Sequence, residues 1–506
     1  MKNRPNVVLF ISDQQRADTL PGISPVNVRS PHVAWLAQQG AQFEQAFCTL
    51  PICCPARASI LSGLFPHQTG VVANYQSKLP QRNFPDDAAL IADYLRPSGY
   101  QCAYTGKWHL PTGSDRRGFK DFVSRIGIQD VDDMADDDAA RFARKLGIEV
   151  EGGYHEYLTR QKRNLGDPDN PVCGRTTKLP LAFHPSTLQA QQAAHFIRTM
   201  QTDDNPFLLV YSCIEPHPMG SNYDIAPCPF DKMYDPQEMY LPQTLRDSGV
   251  LSIMRSRNRG NKMTPADFFT DDHVRAKIAG YYGAVSYVDH LLGIILEALI
   301  SSDQLDDTLV IFTSDHGEML GDHRMFQKGS IMFEQMIRVP LVIKPPRAAS
   351  DAAGVRVQHL VSHADLVPTM LRCCGQDVPG QLPGFDLGAL VAGQDKPVRD
   401  GVAVEYYARF LEGDHNPLRA WRTRSWKYVE TINGVNELYN LEQDPLETRN
   451  LINSDGASSQ KAKMKEDLYA WIKSSGDPWP DIVVPDVPIS KIGPWVDLAD
   501  AETKNV

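Results

Sequence analysis

The chain has 506 residues, 42% of them hydrophobic, which is enough for a large core and two domains. Its formal net charge of −11 excludes a general nucleic-acid-binding protein, which needs a basic face. Nine cysteines spread thinly over this length are not a disulfide framework, and they favour a reducing compartment.

Neither a targeting segment nor a membrane span is predicted. The first apolar run, Val7–Ile11, is too short for the apolar region of a signal peptide. We therefore expect a cytoplasmic protein, or a periplasmic or secreted one if a signal peptide has been trimmed. The longest apolar stretch, Leu291–Ile300, is interrupted by Glu297 and is too short to cross a membrane. It predicts a core helix, and we expect no membrane partner.

In chain order, strand-like apolar runs alternate with helix-like segments. The short β-branched or aromatic runs that predict buried parallel strands are Val7–Ile11, Phe207–Tyr211, Thr308–Thr313 and Pro340–Ile343. The segments whose spacing predicts helices are Asp87–Leu95, Thr187–Thr199 and Val274–Leu299. This alternation predicts an α/β fold with a large, mostly parallel sheet flanked by helices on both faces. The site of such a sheet lies at the carboxyl ends of its strands.

The pattern changes after Gly380. The segments that alternate as antiparallel strands do are Gly401–Tyr407, Ala420–Thr431 and Glu437–Leu441, and Lys461–Lys473 predicts an amphipathic helix. We therefore expect a catalytic α/β domain over residues 1–385. A small C-terminal α+β domain with an antiparallel sheet follows over residues 386–506, and the chain after Gly476 forms an extended tail.

Residues 130–185 are charged and weakly periodic, and we expect an insertion or lid there. Its loose cations, which a solvated loop explains equally well, are Arg160, Lys162, Arg163, Arg175 and Lys178.

The stretch Cys53-Cys54-Pro55-Ala56-Arg57 carries the strongest chemical signal. Pro55 suits the first turn of a helix, where its missing N–H costs nothing. Cys53 then lies at a positively polarised helix N-terminus, with Arg57 one turn further on. Such a position favours a thiolate or an anion, although a buried structural thiol is the alternative interpretation.

Two polar clusters follow strand-like runs. Asp13 and Gln14 follow the first run, and Asp315 and His316 follow a later one, with Gly317 allowing a tight turn. Carboxylate and amide oxygens are hard ligands that suit Ca²⁺, Mg²⁺ or Mn²⁺. The two clusters together predict a divalent-metal site.

Three further segments carry a lysine or a histidine. Lys107 and His109 are two residues apart, so in an extended segment they face the same side. His217 lies between prolines that fix its direction. Lys328 lies in the same segment as His323, which we interpret as structural. Taken singly, each of the remaining lysines and histidines is explained equally well by a structural role or by exposure to solvent.

Together and in this order, these clusters resemble the sulfatase family from Asn6 to Leu451. The family signature, Cys-x-Pro-x-Arg followed by a small-residue helix and Thr/Ser-Gly, is matched by Cys53, Pro55, Arg57, Ser62 and Gly63. Gly106–His109 resembles the family motif Gly-Lys-Trp-His, Glu215–Pro218 resembles Pro-His-x-Pro, and Glu437–Leu451 resembles the C-terminal signature.

The resemblance implies an alkaline phosphatase-like fold and a modified nucleophile. A formylglycine-generating enzyme would oxidise Cys53 to formylglycine, whose aldehyde hydrate attacks sulfur. The metal ligands implied are Asp13, Gln14, Asp315 and His316, with residue 53 completing the shell. Gln14 stands where many members have a second Asp. Because Gln is also an acceptor, we expect metal binding to survive, with Ca²⁺ as the first expectation and Mg²⁺ or Mn²⁺ as alternatives.

The resemblance also implies roles in catalysis. The residues expected to contact the substrate are Arg57, Lys107, His217, Lys328 and, near the nucleophile, Asn74. His217 is the expected general acid for the leaving alcohol, aided by Lys328. His109 takes the second hydroxyl proton when sulfate leaves, and Asp315 takes or orients the proton of the attacking hydroxyl.

The expected reaction is hydrolysis of a small-molecule or oligosaccharide sulfate monoester. A phosphonate monoester or phosphodiester hydrolase is the main alternative, because those related enzymes share Ala56 in the cysteine motif and the N-terminal Asp13-Gln14 pair. Lys107 and His109 favour a sulfatase, because we expect those enzymes to lack both residues. A non-catalytic anion-binding protein on the same fold is the third reading, since fold does not fix function. A homo-oligomer is compatible with all three.

Overall fold

The computed structural model describes residues 4–23, 28–74, 88–110, 119, 121–126, 180–218, 226–247, 270–347, 349, 353–407, 417–432 and 435–481. The expected lid up to residue 179, with its five loose cations, and the tail after residue 481 lie outside the described residues. Within the described part of the chain, the cysteines are free.

The strands are β1 (Asn6–Ser12), β2 (Ala41–Phe43), β3 (Ala46–Phe47), β4 (Gln101–Lys107), β5 (Asp121–Ile126), β6 (Phe207–Ser212), β7 (Thr308–Ser314), β8 (Leu341–Lys344), β9 (Val355–Val357), β10 (Val361–Ser362), β11 (Gly401–Tyr406), β12 (Leu418–Thr423), β13 (Trp426–Thr431) and β14 (Glu437–Asn440). The α-helices are α1 (Pro31–Gln38), α2 (Cys53–Ser62), α3 (Pro66–Thr69), α4 (Ile91–Leu95), α5 (Pro185–Thr199), α6 (Asp271–Ser301), α7 (Glu334–Ile337), α8 (Leu366–Cys373), α9 (Gly388–Val391) and α10 (Ser458–Ser475).

The large sheet has the order β5-β4-β6-β1-β7-β8-β2-β9. The strands from β5 to β7 are parallel, whereas β8 runs antiparallel to both β7 and β2. The expected mixed, mostly parallel sheet is confirmed. The expectation that Pro340–Ile343 forms a parallel strand is wrong, because an apolar run reports burial on both faces and not direction.

Hydrophobic cores cover both faces of this sheet, as the sequence predicts. Along β1, Val7, Leu9 and Ile11 point into one core, while Val8 and Phe10 point into the other. Residues of α2, α4 and α8 line the first core, and residues of α1, α5 and α6 line the second. Strand side chains that alternate between two apolar layers fix the sheet between two layers of helices.

Helix α6 is longer than the helix predicted over Val274–Leu299, and it is more apolar than we expected from the sequence. By length and composition alone it could cross a membrane, against the expectation that no run approaches a span. Most of its apolar segment is buried inside the protein, and Leu291, Leu292 and Ile295 pack into the second core. The prediction that Leu291–Ile300 is part of a core helix is confirmed.

The C-terminal strands β11 to β14 form an antiparallel sheet, which confirms the second part of the expected fold. Helix α10 packs Met464, Leu468 and Ile472 against it. The segment Ala420–Thr431 is not one strand, because β12 and β13 form a hairpin on either side of a polar Arg-Ser turn. Four consecutive polar residues, 422–425, span the end of β12 and the turn, and they are the signal that could have divided the segment.

Candidate active site

Four neighbouring strands, β4, β6, β1 and β7, end at the same edge of the large sheet. Ser12 pairs with Ser314 across β1 and β7, so Asp13 and Asp315 follow side by side. Gly106 pairs with Ser212 across β4 and β6, so the segments after them leave the same edge. The parallel register therefore gathers the predicted clusters at the carboxyl ends of the strands.

Glycines permit two close approaches at this edge. Gly106 has φ +97°, and a Cβ there would lie 1.9 Å from the carbonyl oxygen of Ser212. A Cβ on Gly317 would lie 1.9 Å from the carbonyl oxygen of Gln335. The predicted need for glycine at 317 thus arises from backbone contact and not from a left-handed turn.

Helix α2 begins at Cys53, as its sequence predicts, and ends before Gly63, which has a left-handed φ of 74°. All of its residues are buried. The side-chain Oδ1 of Asn74 accepts a hydrogen bond of 3.0 Å from the backbone N–H of Cys54. Asn74 therefore holds the start of the helix beside the expected nucleophile.

Arg57 lies between the two carboxylates. Its Nη2 donates to Asp13 at 3.0 Å and its Nε donates to Asp315 at 2.9 Å. Its Nη1 donates to the carbonyl of Lys107 at 3.0 Å and to the hydroxyl of Ser212 at 2.5 Å. A fully buried guanidinium with four N–H groups in use fixes the spacing of the carboxylates.

These cations decide the charge of Asp13. Burial raises the pKa of its carboxyl, but Lys107, which contacts it directly, and Arg57 outweigh burial and hold the pKa well below its usual range. Burial and the neighbouring Asp13 raise the pKa of Asp315. The two adjacent carboxylates repel each other, and a bound divalent cation would remove this repulsion.

The Sγ of Cys53 lies at the centre of this group. It is 2.7 Å from the Nζ of Lys328, 3.3 Å from the Nε2 of His316 and 3.8 Å from Asp13. Burial raises the pKa of the thiol, but Lys107 and Lys328 lower it more, so the pKa lies well below its usual value. The site therefore stabilises negative charge at residue 53.

The donor set fits a metal ion. One ligand atom each of Asp13, Cys53, Asp315 and His316 lies within 4.8 Å of the others. The Nδ1 of His316 is 2.9 Å from the carbonyl of its neighbour Gly317, which leaves Nε2 to ligate. The Oε1 of Gln14 is buried and has no hydrogen-bond partner among the described residues. The backbone N–H of the same residue donates to Asp315 at 3.0 Å, so Gln14 lies beside the carboxylates, and a buried amide oxygen is suited to a hard cation.

The two expected catalytic histidines lie beside this centre. His109 has φ 53°, so the segment after β4 is not extended as expected, yet its ring still contacts Cys53. Burial and Lys107 lower the pKa of His109 to about 4. The Nδ1 of His217 is held 2.7 Å from the carbonyl of Pro218, so Nε2 is left for the site. Burial and a nearby lysine lower its pKa as well.

Sequence reasoning gave no role to some residues of the site. Ser212, the last residue of β6, contacts Arg57. Its position at the carboxyl end of a strand, where the sites of such sheets lie, could have indicated it. Glu318, three residues after Asp315, contacts the side chain of Gln14. His323, interpreted as structural, stacks on Phe333 with ring centroids 3.9 Å apart.

Comparison with protein families identifies the architecture. The family described as Sulfatase matches residues 5–376. The chain belongs to the sulfatase family. A second family, described as N-sulphoglucosamine sulphohydrolase, C-terminal, matches residues 321–474. The family match confirms the expected enzyme class, a sulfuric ester hydrolase, and the alkaline phosphatase-like fold.

The chain is similar to several characterised proteins over most of its length. An ulvan-active sulfatase of Formosa agariphila is 28% identical, and the match covers 94% of this chain and 82% of that protein. A choline-sulfatase of Rhizobium meliloti is also 28% identical, with coverage of 88% and 82%. The phosphonate monoester hydrolase of Agrobacterium radiobacter superposes with a TM-score of 0.74 at 24% identity, covering 93% and 96%, and shares the fold.

Proposed function

We propose that this sulfatase hydrolyses a sulfate monoester to an alcohol and inorganic sulfate, with residue 53, converted from cysteine to formylglycine, as the nucleophile. The observation that carries the proposal is the position of Cys53 at the start of α2, between the ammonium of Lys328 and the carboxylate of Asp13. Its Sγ stands in for the hydroxyl oxygens of hydrated formylglycine. A helix N-terminus with adjacent cations favours the developing negative charge of this reaction.

We assign the metal to Asp13, Gln14, Asp315 and His316, with residue 53 completing the shell. This oxygen-rich set favours Ca²⁺ first, with Mg²⁺ and Mn²⁺ as alternatives. When bound, the metal supplies Lewis-acid polarisation of the nucleophile and neutralises charge on the sulfuryl group.

Lys107 and Lys328 supply positive charge for the sulfuryl oxygens, because each is buried and directed at the centre. Arg57 already donates four hydrogen bonds within the protein, so we assign it chiefly to holding Asp13 and Asp315 in place. Asn74 acts one step further out, through the backbone of the residue next to the nucleophile.

His217 is assigned as the acid that protonates the leaving alcohol through Nε2. Burial and Lys328 lower its pKa in the free enzyme. The negative sulfuryl group of a bound ester reverses this effect, because an adjacent anion favours the protonated imidazole. The proton thus becomes available when the substrate is present.

His109 is assigned as the base of the second step. With a pKa of about 4 it is neutral at neutral pH, and it contacts residue 53. It therefore accepts the proton of the second hydroxyl as sulfate leaves, and the aldehyde is restored. Hydration of that aldehyde returns the enzyme to its starting state, so the sum is one water and one ester to one alcohol and one sulfate.

The alcohol part of the substrate is assigned by class. The relatives are named for ulvan and for choline, which supports a sulfate ester of an oligosaccharide or of a small molecule.

Peptide mass spectrometry across residue 53 tests the proposal. Protein co-produced with a formylglycine-generating enzyme is expected to carry an aldehyde or its hydrate at that position and to release sulfate from 4-nitrophenyl sulfate. Cys53→Ala removes turnover, whereas the matched control Cys54→Ala retains most of it. An unmodified thiol at residue 53 under these conditions, or the reverse behaviour of the two variants, contradicts the mechanism. Binding of a sulfate ester without turnover by converted protein favours the anion-binding reading instead.

Phosphonate monoester hydrolysis is the second candidate function. Gln14 contributes an amide where many sulfatases have a carboxylate, and the phosphonate monoester hydrolase shares the fold. We rank it second because Lys107 and His109 both contact the centre as the sulfatase motif requires. The ratio of kcat/KM for an aryl sulfate to that for the matching aryl phosphonate ester separates the two, and a ratio below one reverses the ranking.

A further inference from the structure

Glu318 is a fully buried carboxylate in the loop after β7, and the chemistry assigned above does not use it. Its Oε2 accepts a hydrogen bond from the side-chain Nε2 of Gln14. Its Oε1 accepts hydrogen bonds from the backbone N–H groups of Leu320, at 2.9 Å, and of Gln327. One carboxylate therefore contacts two parts of the site.

The contact with Gln14 decides which end of its amide faces Glu318 and which end is directed away from it. An amide can turn by 180° and exchange its oxygen for its nitrogen with little change in shape. An ionised carboxylate only accepts hydrogen bonds, so Glu318 requires the NH₂ group on its own side. The Oε1 of Gln14 is then directed away from Glu318, and it has no hydrogen-bond partner in the described part of the chain.

The second contact joins Glu318 to the turn that carries Lys328, the lysine assigned to the sulfuryl oxygens of the substrate. Gln327, whose N–H donates to Glu318, immediately precedes Lys328. Gln327 has a left-handed φ of 68°, which a non-glycine residue adopts only when its surroundings hold it. The position of the Lys328 ammonium beside Cys53 depends on this turn.

We propose that Glu318 is a positioning residue that fixes Gln14 as an oxygen ligand of the metal and holds the Lys328 turn on the same centre. The inference rests on the metal site of the proposed function. It also gives a reason for the Gln14 amide: the carboxylate that a second acidic ligand would supply is that of Glu318, one hydrogen bond away from Gln14.

A donor–acceptor exchange tests the inference. In Glu318→Gln the remaining oxygen can still accept from Leu320 and Gln327, but an NH₂ group now faces the NH₂ group of Gln14. Gln14 must turn and direct its nitrogen at the metal, so we expect the Kd for the metal to rise at least tenfold. The double variant Gln14→Glu/Glu318→Gln restores a donor facing an acceptor at the same side-chain length and keeps the charge of the pair at one negative unit.

Isothermal titration of the metal-free, full-length protein with Ca²⁺, and then with Mg²⁺ and Mn²⁺, gives the readout without turnover. We expect weak binding by Glu318→Gln and recovery to within threefold of wild type in the double variant. Gln14→Glu alone places two carboxylates face to face, and we expect it to bind the metal more weakly than the double variant. The matched control is Glu437→Gln, because Glu437 is also a buried carboxylate, and it accepts a hydrogen bond from Tyr439 in the C-terminal sheet.

The outcomes separate this inference from the proposed function. Absence of metal binding by the wild type removes the metal site, and the inference with it. Binding by the wild type and equally tight binding by Glu318→Gln overturns the inference alone. Equal weakening in Glu318→Gln and in the double variant indicates a merely structural role and also overturns it. Should Glu318→Gln fail to fold, the comparison of Gln14→Glu with the double variant still decides.

Discussion

The Nζ of Lys328 lies 2.7 Å from the Sγ of Cys53, although 275 positions separate the two residues in the chain. Cys53 begins a helix on one face of the sheet, and Lys328 follows a turn beyond β7. The contact therefore depends on the packing of the whole α/β domain around the ends of its strands. It directs a positive charge at the atom where the proposed nucleophile forms.

Lys328→Met tests the importance of that charge. The methionine keeps the unbranched apolar stem and loses the terminal ammonium, so we expect kcat/KM for 4-nitrophenyl sulfate to fall by about 10²–10³-fold. Mass spectrometry must first show equal conversion of residue 53 in both proteins. The control is Lys396→Met, at an exposed position, which should leave kcat/KM unchanged. A loss smaller than threefold in Lys328→Met removes Lys328 from the substrate-binding set.

Arg57→Lys tests the bridge between the two carboxylates. A lysine has a single nitrogen, which cannot occupy the positions of both Nη2 and Nε, so one buried carboxylate loses its contact with residue 57. We expect the free energy of unfolding to fall by about 3 kcal/mol, as when a buried pair is broken. Chemical unfolding followed by circular dichroism measures this. Arg347→Lys is the control, because its pair with Asp306 is exposed and should change stability by less than about 1 kcal/mol.

The positions of Asp13 and Asp315 after strands and of Cys53 at a helix N-terminus could be predicted, because both kinds of position are readable from local patterns. Strand β4 was not among the predicted strands, and Lys107 at its end was assigned to the site only by the family resemblance. The direction of β8 could not, since a buried run looks the same in either direction.

The contacts of individual side chains were also beyond the sequence. The left-handed backbone of His109 is rarely adopted by a residue other than glycine, so no propensity indicates it. The bond between Gln14 and Glu318 joins residues 304 positions apart, and only the register of β1 with β7 brings them together.

His217→Ala tests the assignment of the general acid. A poor leaving group needs protonation in the transition state, whereas a nitrophenolate does not. We expect kcat/KM to fall by about 10²–10⁴-fold for alkyl sulfates and by at least tenfold less for nitrophenyl sulfates. A plot of log kcat/KM against the pKa of the leaving alcohol should become steeper in the variant. Equal losses for both substrate types assign the proton to another group.

The last prediction concerns His67, which joins helix α3 to the C-terminal sheet and helix, away from the active centre. Its Nδ1 is 2.7 Å from Glu405 in β11, and its Nε2 is 3.1 Å from the carbonyl of Ser475 at the end of α10. Both ring nitrogens thus face acceptors, an arrangement that requires the protonated imidazole. Burial lowers the pKa of His67, but Glu405 and the Ser475 carbonyl outweigh burial and raise it above its usual value.

The protonated His67 therefore stabilises the folded state fully below about pH 6.5, the ordinary pKa of an unfolded histidine, and this contribution declines as the pH rises through the raised folded pKa. We expect the free energy of unfolding of the wild type to fall over that interval. His67→Gln keeps a donor toward Glu405 and does not titrate, so the fall should be smaller in this variant. His195→Gln, on the exposed face of α5, is the control and should follow the wild type. Urea unfolding at half-unit pH steps measures the difference, and parallel curves for wild type and His67→Gln would show that His67 is neutral in the folded protein.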